Sequence, residues 1–500
     1  MPLLLSDAIV NGVGDNATFG AEAVSVLHIS DLHRDPSHPL RNAPLLDSLE
    51  TDRERYVENG AIRPPNIVVV SGDIIHGVAA DVPDADAKIN AQYAEALEFL
   101  NSLAQRFVAG NKDRVLIVPG NHDVSAPQCS RSLRSVPIAE GRKKELASQL
   151  FSANSPLRWS WAAFSLFEII DEDAYNMRLS SFCEFYGQFY DGARTFDLDP
   201  ARQYDVFDFP ELGVVLVAFN SCFRNDIFNK QGTIHPDCIA DAATSLRNPR
   251  YRRRLRMAVW HHNTVGLPMQ FDYMDPDVLQ NLIDRGFSLG LHGHQHKPQF
   301  IDQRFQHDGD RSITVISAGT VCGDAAYRYG RSYNVVELDA RSRSGRLHLR
   351  EMLNDNLELP IWGQRPLPPG TDRVRKFSFD PPPTPLVSPS DQTPALVEGI
   401  DLYEKQDYAA AADIFARLAD QEDLARRLLL DSYQRLGNSS EILTRFDPPQ
   451  STAEAICLMD ALWERGNVER LKALLDERIV ADSIDPSMIE MRAKYANRTT

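Results

Sequence analysis

Short runs rich in valine and isoleucine, spread between Val24 and about Leu353, constrain this chain more than any other feature: VSVLHIS, NIVVVSGD, RVLIVPGN, VVLVAFNS, MAVWHH, LGLHG and ITVISAG. Each ends in Ser, Gly, Asn, Asp or His. Runs of this kind read as buried strands, and the longer segments between several of them suit helical crossovers. The expectation is an α/β protein with layered sheets. Polar residues at the carboxyl ends of such strands lie where α/β folds place their active sites.

Between Asp123 and about Tyr204 the pattern changes. GRKKELASQLF, WSWAAFSLFEII and SSFCEFYGQFY have helical spacing and many aromatics, which predicts an inserted helical cap, about 124–204, with its aromatics in a core. Residues 354–394 contain RPLPPG and DPPPTPLVSPSDQTP. Proline at that density reads as an extended linker or a strap on the first domain. From 395 to 500 the pattern is helical, and YEKQDYAAA, YQRLGNSSE and LWERGNVER recur about every thirty residues. This helix–turn–helix recurrence resembles tetratricopeptide repeats, with Tyr408, Ala411 and Phe415 at packing positions of the first unit. The later units match that pattern poorly. The expected layout is a catalytic domain over 1–353, a linker over 354–394 and a helical repeat domain over 395–500 that could dock a protein partner.

A chain of 500 residues exceeds one hydrophobic core. Its formal charge of −17 argues against a protein that coats nucleic acid nonspecifically, since phosphate binding needs surplus Lys and Arg; a local basic groove stays open. The six cysteines are scattered without a C-x-x-C pair, so neither a disulfide framework nor a thiolate zinc site is indicated. The start MPLLLSDAIV lacks the basic opening of a secretory signal. No apolar run reaches the ~18 residues that span a bilayer. A soluble, cytoplasmic protein without membrane partners is expected.

The strand ends supply the chemistry. ISDLH gives Asp31 and His33, SGD gives Asp73, PGNHD gives Asn121, His122 and Asp123, WHHN gives His261 and His262, and LGLHGHQHKP gives His292, His294 and His296. Each piece alone is common by chance; their order, each after a strand-like run, is not. Carboxylates and imidazoles without thiolates suit divalent ions such as Mn, Fe or Zn. Two close ions would let one carboxylate bridge them.

The order D-x-H, G-D, G-N-H-D, H-x, G-H-x-H resembles that of the calcineurin-like metallophosphoesterase superfamily over about residues 22–353. The resemblance implies a two-sheet αβ sandwich holding two divalent ions, manganese first among Mn, Fe, Zn, Mg, Ni and Co. It implies that Asp31, His33, Asp73 and His296 hold one ion, and that Asp73, Asn121, His261 and His294 hold the other. His122 would sit beside the scissile phosphate, with Asp123 orienting its ring, while a metal-bridging hydroxide attacks. In G-H-x-H the ligands are the histidines after the glycine, which leaves His292 as buried structure or support. The family's H-x-P selects His261, but Asn263 replaces the proline here, so exchanged roles for His261 and His262 stay open.

Other departures bear on substrate. Arg34 follows D-x-H and His76 follows G-D; either could touch substrate or lie on the surface. The segment FNSCFRNDIFNKQGTIHPDCI (219–239) loosely resembles members related to bacterial cyclic-nucleotide phosphodiesterases and DNA-repair nucleases. RNPRYRRRLR, with Arg252, Arg253 and Arg254, is either a solvated helix end or a groove for a polyanion. The first reading is a phosphodiesterase, more specifically a nuclease acting on DNA or RNA. The alternatives are a cyclic-nucleotide or other small nucleotide phosphodiesterase, and a partner-regulated effector recruited through the C-terminal helices.

Overall fold

β-branched side chains fit a pleated surface buried on both faces, and in the computed structural model the valine- and isoleucine-rich runs form strands of two sheets. The structure describes residues 23–499 except 153–154, 252–253, 267–271, 304–311, 326–328, 341, 355, 366–373, 381–392, 421, 482 and 484–485. The chain divides into two compact units, Met1–Pro383 and Thr384–Thr500.

The first unit opens with β1 (Val24–Ile29), α1 (Asn42–Glu58), β2 (Ile67–Ser71), α2 (Ala85–Val108) and β3 (Val115–Val118). The insertion follows: α3 (Ala126–Arg131), β4 (Leu133–Val136), α4 (Lys143–Leu150), β5 (Leu157–Ser160), β6 (Ser165–Ile169), α5 (Glu172–Asn176) and α6 (Ser180–Phe189). Then come β7 (Tyr204–Phe209), β8 (Val214–Phe219), α7 (Pro236–Ser245), β9 (Leu255–Val259), α8 (Pro276–Asp284), β10 (Leu289–His292), β11 (Gln299–Gln303) and β12 (Ile313–Ser317). The unit closes with β13 (Ser332–Asp339), β14 (Ser344–Met352), β15 (Trp362–Gln364) and β16 (Arg375–Ser378).

One sheet has the order β15-β14-β13-β1-β2-β3, with β16 also on β14; the other runs β11-β12-β10-β9-β8-β7. Alternation along β8 shows the layering. Val214, Leu216 and Ala218 enter the core shared with the first sheet, α1 and α2. Val215, Val217 and Phe219 face α7 and α8. The result is a two-sheet αβ sandwich with helices outside. β1, β2 and β3 are mutually parallel, as are β8, β9, β10 and β12, so within each sheet the loops carrying the candidate residues leave one edge.

The insertion carries helices and also a three-stranded antiparallel sheet, β4-β6-β5. Here WSWAAFSLFEII departs from its helical reading. It forms most of the β5–β6 hairpin, with Ser160 opposite Ser165 and Phe164 in the left-handed region at φ 49°. Aromatic residues pack well on a pleated surface, and their density hides the two-residue period. Trp362–Gln364 and Arg375–Ser378, inside the proline-rich stretch, pair with β14; most of the prolines themselves lie outside the described residues.

The second unit holds α9 (Thr393–Glu404), α10 (Tyr408–Leu418), α11 (Asp423–Arg435), α12 (Ser439–Arg445), α13 (Thr452–Glu464), α14 (Val468–Leu475), α15 (Arg478–Ala481) and α16 (Pro486–Thr499). The recurring motifs are its hairpin turns. Gln406, Gly437 and Gly466 take φ of 64°, 60° and 70°, and the Asp407 and Asn467 side chains cap the helices that follow. Ala411 and Phe415 are fully buried. Among the described residues no helix is long and apolar enough to cross a membrane.

Candidate metal centre

Five of the expected ligands hold a backbone conformation that non-glycine residues avoid: Asp31, His33, Asp73, His294 and His296 have φ of 52°, 43°, 50°, 79° and 53°. Such strain costs about 1–3 kcal/mol per residue and persists only where the surroundings enforce it. Here the loops are tied to one another. Asp31 N donates to Gly72 O at 3.1 Å, His33 N to Asp73 O at 3.0 Å and Gly293 N to His261 O at 3.0 Å. A Cβ on Gly72 would meet the His261 ring at 2.4 Å, and one on Gly293 would meet Ser30 Oγ at 1.7 Å. Only glycine permits these approaches.

Two groups of ligand atoms result. Asp31, His33 and His296 each offer an atom within 4.8 Å of the others, as do Asp73, His261 and His294. In the first, His33 Nε2 lies 3.2 Å from His296 Nε2, which lies 3.4 Å from Asp31 Oδ1. In the second, His261 Nε2 lies 3.3 Å from Asp73 Oδ2 and 3.0 Å from Asn121 Oδ1. His294 Nδ1 is 2.8 Å from the same Asn121 oxygen and 3.2 Å from His261 Nε2. Asp73 Oδ2 also stands 3.8 Å from His33 Nε2, so this carboxylate joins the groups.

These spacings fit a metal. Two ligands ~2.1 Å from one ion and at right angles are ~3.0 Å apart. Asp31 Oδ1 is buried with no hydrogen-bond partner, a costly state that a cation would relieve. The imidazoles are turned to suit: His261 Nδ1 meets Ser71 O at 2.8 Å and His296 Nδ1 meets Asp324 O at 2.5 Å, leaving Nε2 for the cluster. The field is right as well. Burial opposes charge on Asp73, but His261, His122 and His33 outweigh it and hold the carboxyl well below its usual range. Burial likewise opposes charge on His261 and His296, yet Asp73 and Asp31 respectively push them up to about 9. The cluster favours positive charge at its centre, and a metal would displace those protons.

His122 stands beside the groups, its ring 4.6 Å from that of His33, its backbone N–H donating to Asp73 Oδ1 at 2.9 Å. It also forms a third close group with His33 and Asp73. Asp123 does not orient the His122 ring as expected. His122 Nδ1 meets the His76 carbonyl at 2.6 Å, while the Asp123 carboxylate accepts from Gly120 N (2.8 Å), Ile74 N (3.1 Å) and Tyr93 Oη (3.1 Å). It ties the loop after β2 to the loop after β3. Burial pushes it up to about 7, and the Asp73 charge adds to the push.

Other expected contacts are elsewhere. Arg34 is fully buried; it donates to Leu40 O at 2.9 Å and faces Glu95 at 3.5 Å, so it is unavailable to substrate. His262 is buried against Ser221 Oγ (2.9 Å) and Asn225 Nδ2 (3.3 Å); His261 enters the cluster and His262 does not. His292 stays buried on β10 beside Trp260. Arg252 and Arg253 lie outside the described residues. Arg254 pairs with Asp208 on β7 at 3.1 Å and precedes β9, whereas His261 follows it. Five residues at ~3.3 Å each put the strand's ends ~16 Å apart, so Arg254 belongs to the far edge of the sheet. His76 is exposed, its ring 5.9 Å from that of His33.

A cleft of about 330 Å³ opens beside His122 and Asn121, with His76 and Lys230 among its polar residues and Val78, Val124 and Ile227 among its apolar ones. Asn225 and Lys230 of this cleft lie in the segment 219–239 noted above. Asp272, near His294, has no strand-like run before it and gave no signal in the sequence.

A two-sheet sandwich with paired Asp and His groups at its strand ends defines a metallophosphoesterase. The family model for calcineurin-like phosphoesterases matches residues 24–298, more than half of the chain, and the protein belongs to that family, whose members are metal-dependent hydrolases of phosphate esters with a dinuclear centre. Similar solved structures include the purple acid phosphatase from yellow lupin (Lupinus luteus) seeds, at 9% identity and TM-score 0.35 over 66% of this chain and 51% of that one. The chain thus spans about half of the lupin enzyme. Others are phosphopantetheinyl hydrolase from Mycobacterium tuberculosis, at 15% identity and TM-score 0.28 over 60% and 91%, and a dimetal phosphatase from Danio rerio, at 12% identity and TM-score 0.31 over 65% and 95%. No curated protein sequence matches the chain.

Proposed function

We propose that the protein is a dinuclear metal-dependent phosphodiesterase acting on a small phosphodiester of nucleotide size. Asp31, His33, Asp73 and His296 would hold one ion, and Asp73, Asn121, His261 and His294 the other, with manganese the first candidate. Such a pair would supply Lewis acidity and a nucleophile at neutral pH. His122, whose Nδ1 is engaged by the His76 carbonyl, has Nε2 left to stabilise the scissile phosphate or to protonate the leaving oxygen. His76 and Lys230 line the cleft beside His122.

The observation that carries the small-substrate reading is the cleft of about 330 Å³ beside His122, at the lower end of the ~300–1,000 Å³ typical of small-molecule sites. The nuclease reading drew on the inserted cap, the arginine cluster and the appended helical repeats together; of the cluster, Arg254 is paired with Asp208 at the far edge of the sheet. The hairpins of the second unit, with their recurring turns, support a tetratricopeptide-like helical module over 395–500 that docks a protein partner, while β15 and β16 carry the first unit beyond 353. Six free cysteines suit the reducing cytoplasm.

The test is hydrolysis with added Mn²⁺ of bis-p-nitrophenyl phosphate, cyclic AMP, single-stranded DNA and duplex DNA, with Asp73→Ala and His122→Ala as controls. Turnover of the small diesters alone is expected. DNA cleavage lost in both variants would replace this reading with a nuclease. Metal binding without turnover of anything would favour an effector that needs its partner.

A further inference from the structure

Each candidate imidazole ligand has two ring nitrogens, and a neutral ring carries one proton. The nitrogen turned away from the cluster therefore decides which nitrogen has a lone pair to give. His261 and His296 settle this with backbone carbonyls, those of Ser71 and Asp324. His33 Nδ1 is buried without a partner. His294 differs from all three. Its Nδ1 faces Asn121 and His261, and its Nε2 faces a carboxylate, with Asp272 Oδ2 3.8 Å away.

Asp272 is itself held in place. The next residues are clamped between two loops: Gly232 N donates to Tyr273 O at 3.1 Å, Met274 N to Asn263 O at 2.7 Å and Asp275 N to Gly232 O at 3.1 Å. Gly266 leaves space for the carboxylate, since a Cβ there would come within 2.9 Å of Asp272 Oδ1. That oxygen is buried without a hydrogen-bond partner. The side chain is only 20% exposed. A carboxylate kept mostly from water, with one oxygen unsatisfied, has its other oxygen directed at one imidazole of the metal centre.

We propose that Asp272 is a positioning residue for His294: its carboxylate accepts a hydrogen bond from Nε2–H, fixing the tautomer in which Nδ1 is the ligand and making that ring a more electron-rich donor. The proposal rests on the dinuclear reading above. Its consequence is an asymmetry between the two ions, because among the described residues only the ion of the Asp73, Asn121, His261 and His294 group is held by an imidazole with a charged partner behind it. Loss of an outer partner of this kind typically weakens metal binding ~10–100-fold, and the loss should fall on one ion.

The experiment is calorimetric titration of metal-free full-length protein with Mn²⁺, for the wild type, Asp272→Ala, Asp272→Asn and Asp272→Glu, alongside the melting temperature of each metal-free protein. The expected result is two ions in the wild type and, in Asp272→Ala, one ion unchanged and the other weakened ~10–100-fold. Asp272→Asn should lie between, because an amide oxygen still accepts a hydrogen bond from Nε2–H, and Asp272→Glu should recover part of the loss. A role confined to holding the loop would lower the melting temperature and weaken both ions together, and that pattern would overturn the proposal. So would affinities equal to the wild type in both Ala and Asn variants. If Asp272→Ala fails to fold, the isosteric Asp272→Asn decides: two undiminished ions in it count against the proposal. A wild type that binds fewer than two ions would overturn the dinuclear reading itself, whatever the variants do.

Discussion

The two ends of β9 carry the two most conspicuous polar clusters in the chain, arginines before Leu255 and histidines after Val259, and they have opposite fates. At the carboxyl end His261 is wholly buried and joins Asp73, Asn121 and His294 within 3.3 Å. At the amino end Arg254 is paired with Asp208, Arg247 and Arg250 are exposed, and Arg256 donates to the carbonyls of Arg285 and Leu246. In a parallel sheet the direction of a strand decides which of its flanks meets the flanks of its neighbours in a common crevice. Charge density along the sequence carries no such direction.

Substitutions at the two ends should separate sharply. Asp73→Asn, which removes charge from the carboxylate joining both groups, should lower kcat/KM on bis-p-nitrophenyl phosphate by at least ~10³-fold and reduce Mn²⁺ stoichiometry. His122→Ala should lower kcat by ~10²–10³-fold while still binding two Mn²⁺ ions; loss of an ion would make His122 a ligand, as its proximity to His33 and Asp73 also allows. Asp123→Ala should cost activity ~10-fold and stability ~2–3 kcal/mol, since it leaves two backbone donors and Tyr93 Oη without their carboxyl acceptor; chemical denaturation of the metal-free protein reads the second effect. Arg254→Ala should change kcat/KM less than about twofold and stability by ~1 kcal/mol or less, as befits a partly exposed ion pair. A large loss of DNA cleavage in that variant would bring the arginine end back into function.

The sequence revealed what depends on local order. Strands show as β-branched runs, and the residues just after them arrive at one edge because the strands are parallel. The turns at Gln406, Gly437 and Gly466 show because the same short motif recurs. What stayed hidden depends on partners distant in the chain. Helix α2 supplies three of them: Glu95 neutralises Arg34, Tyr93 donates to Asp123 and Gln92 accepts from Gly77 N. No pattern around Arg34 or Asp123 records that helix. Asp272 follows no apolar run, and its relation to His294 exists only once the loop is clamped. The β5–β6 hairpin was hidden because aromatics satisfy helical spacing as readily as a strand's alternation.

On the proposed reading the histidine end of these strands holds two metal ions around one shared carboxylate. Diffraction from Mn²⁺-loaded crystals, recorded for anomalous scattering from manganese, tests it most directly. Two peaks ~3.5–4 Å apart are expected, one among Asp31, His33 and His296, one among Asn121, His261 and His294, with Asp73 between them. A single peak, or peaks away from these side chains, would contradict it.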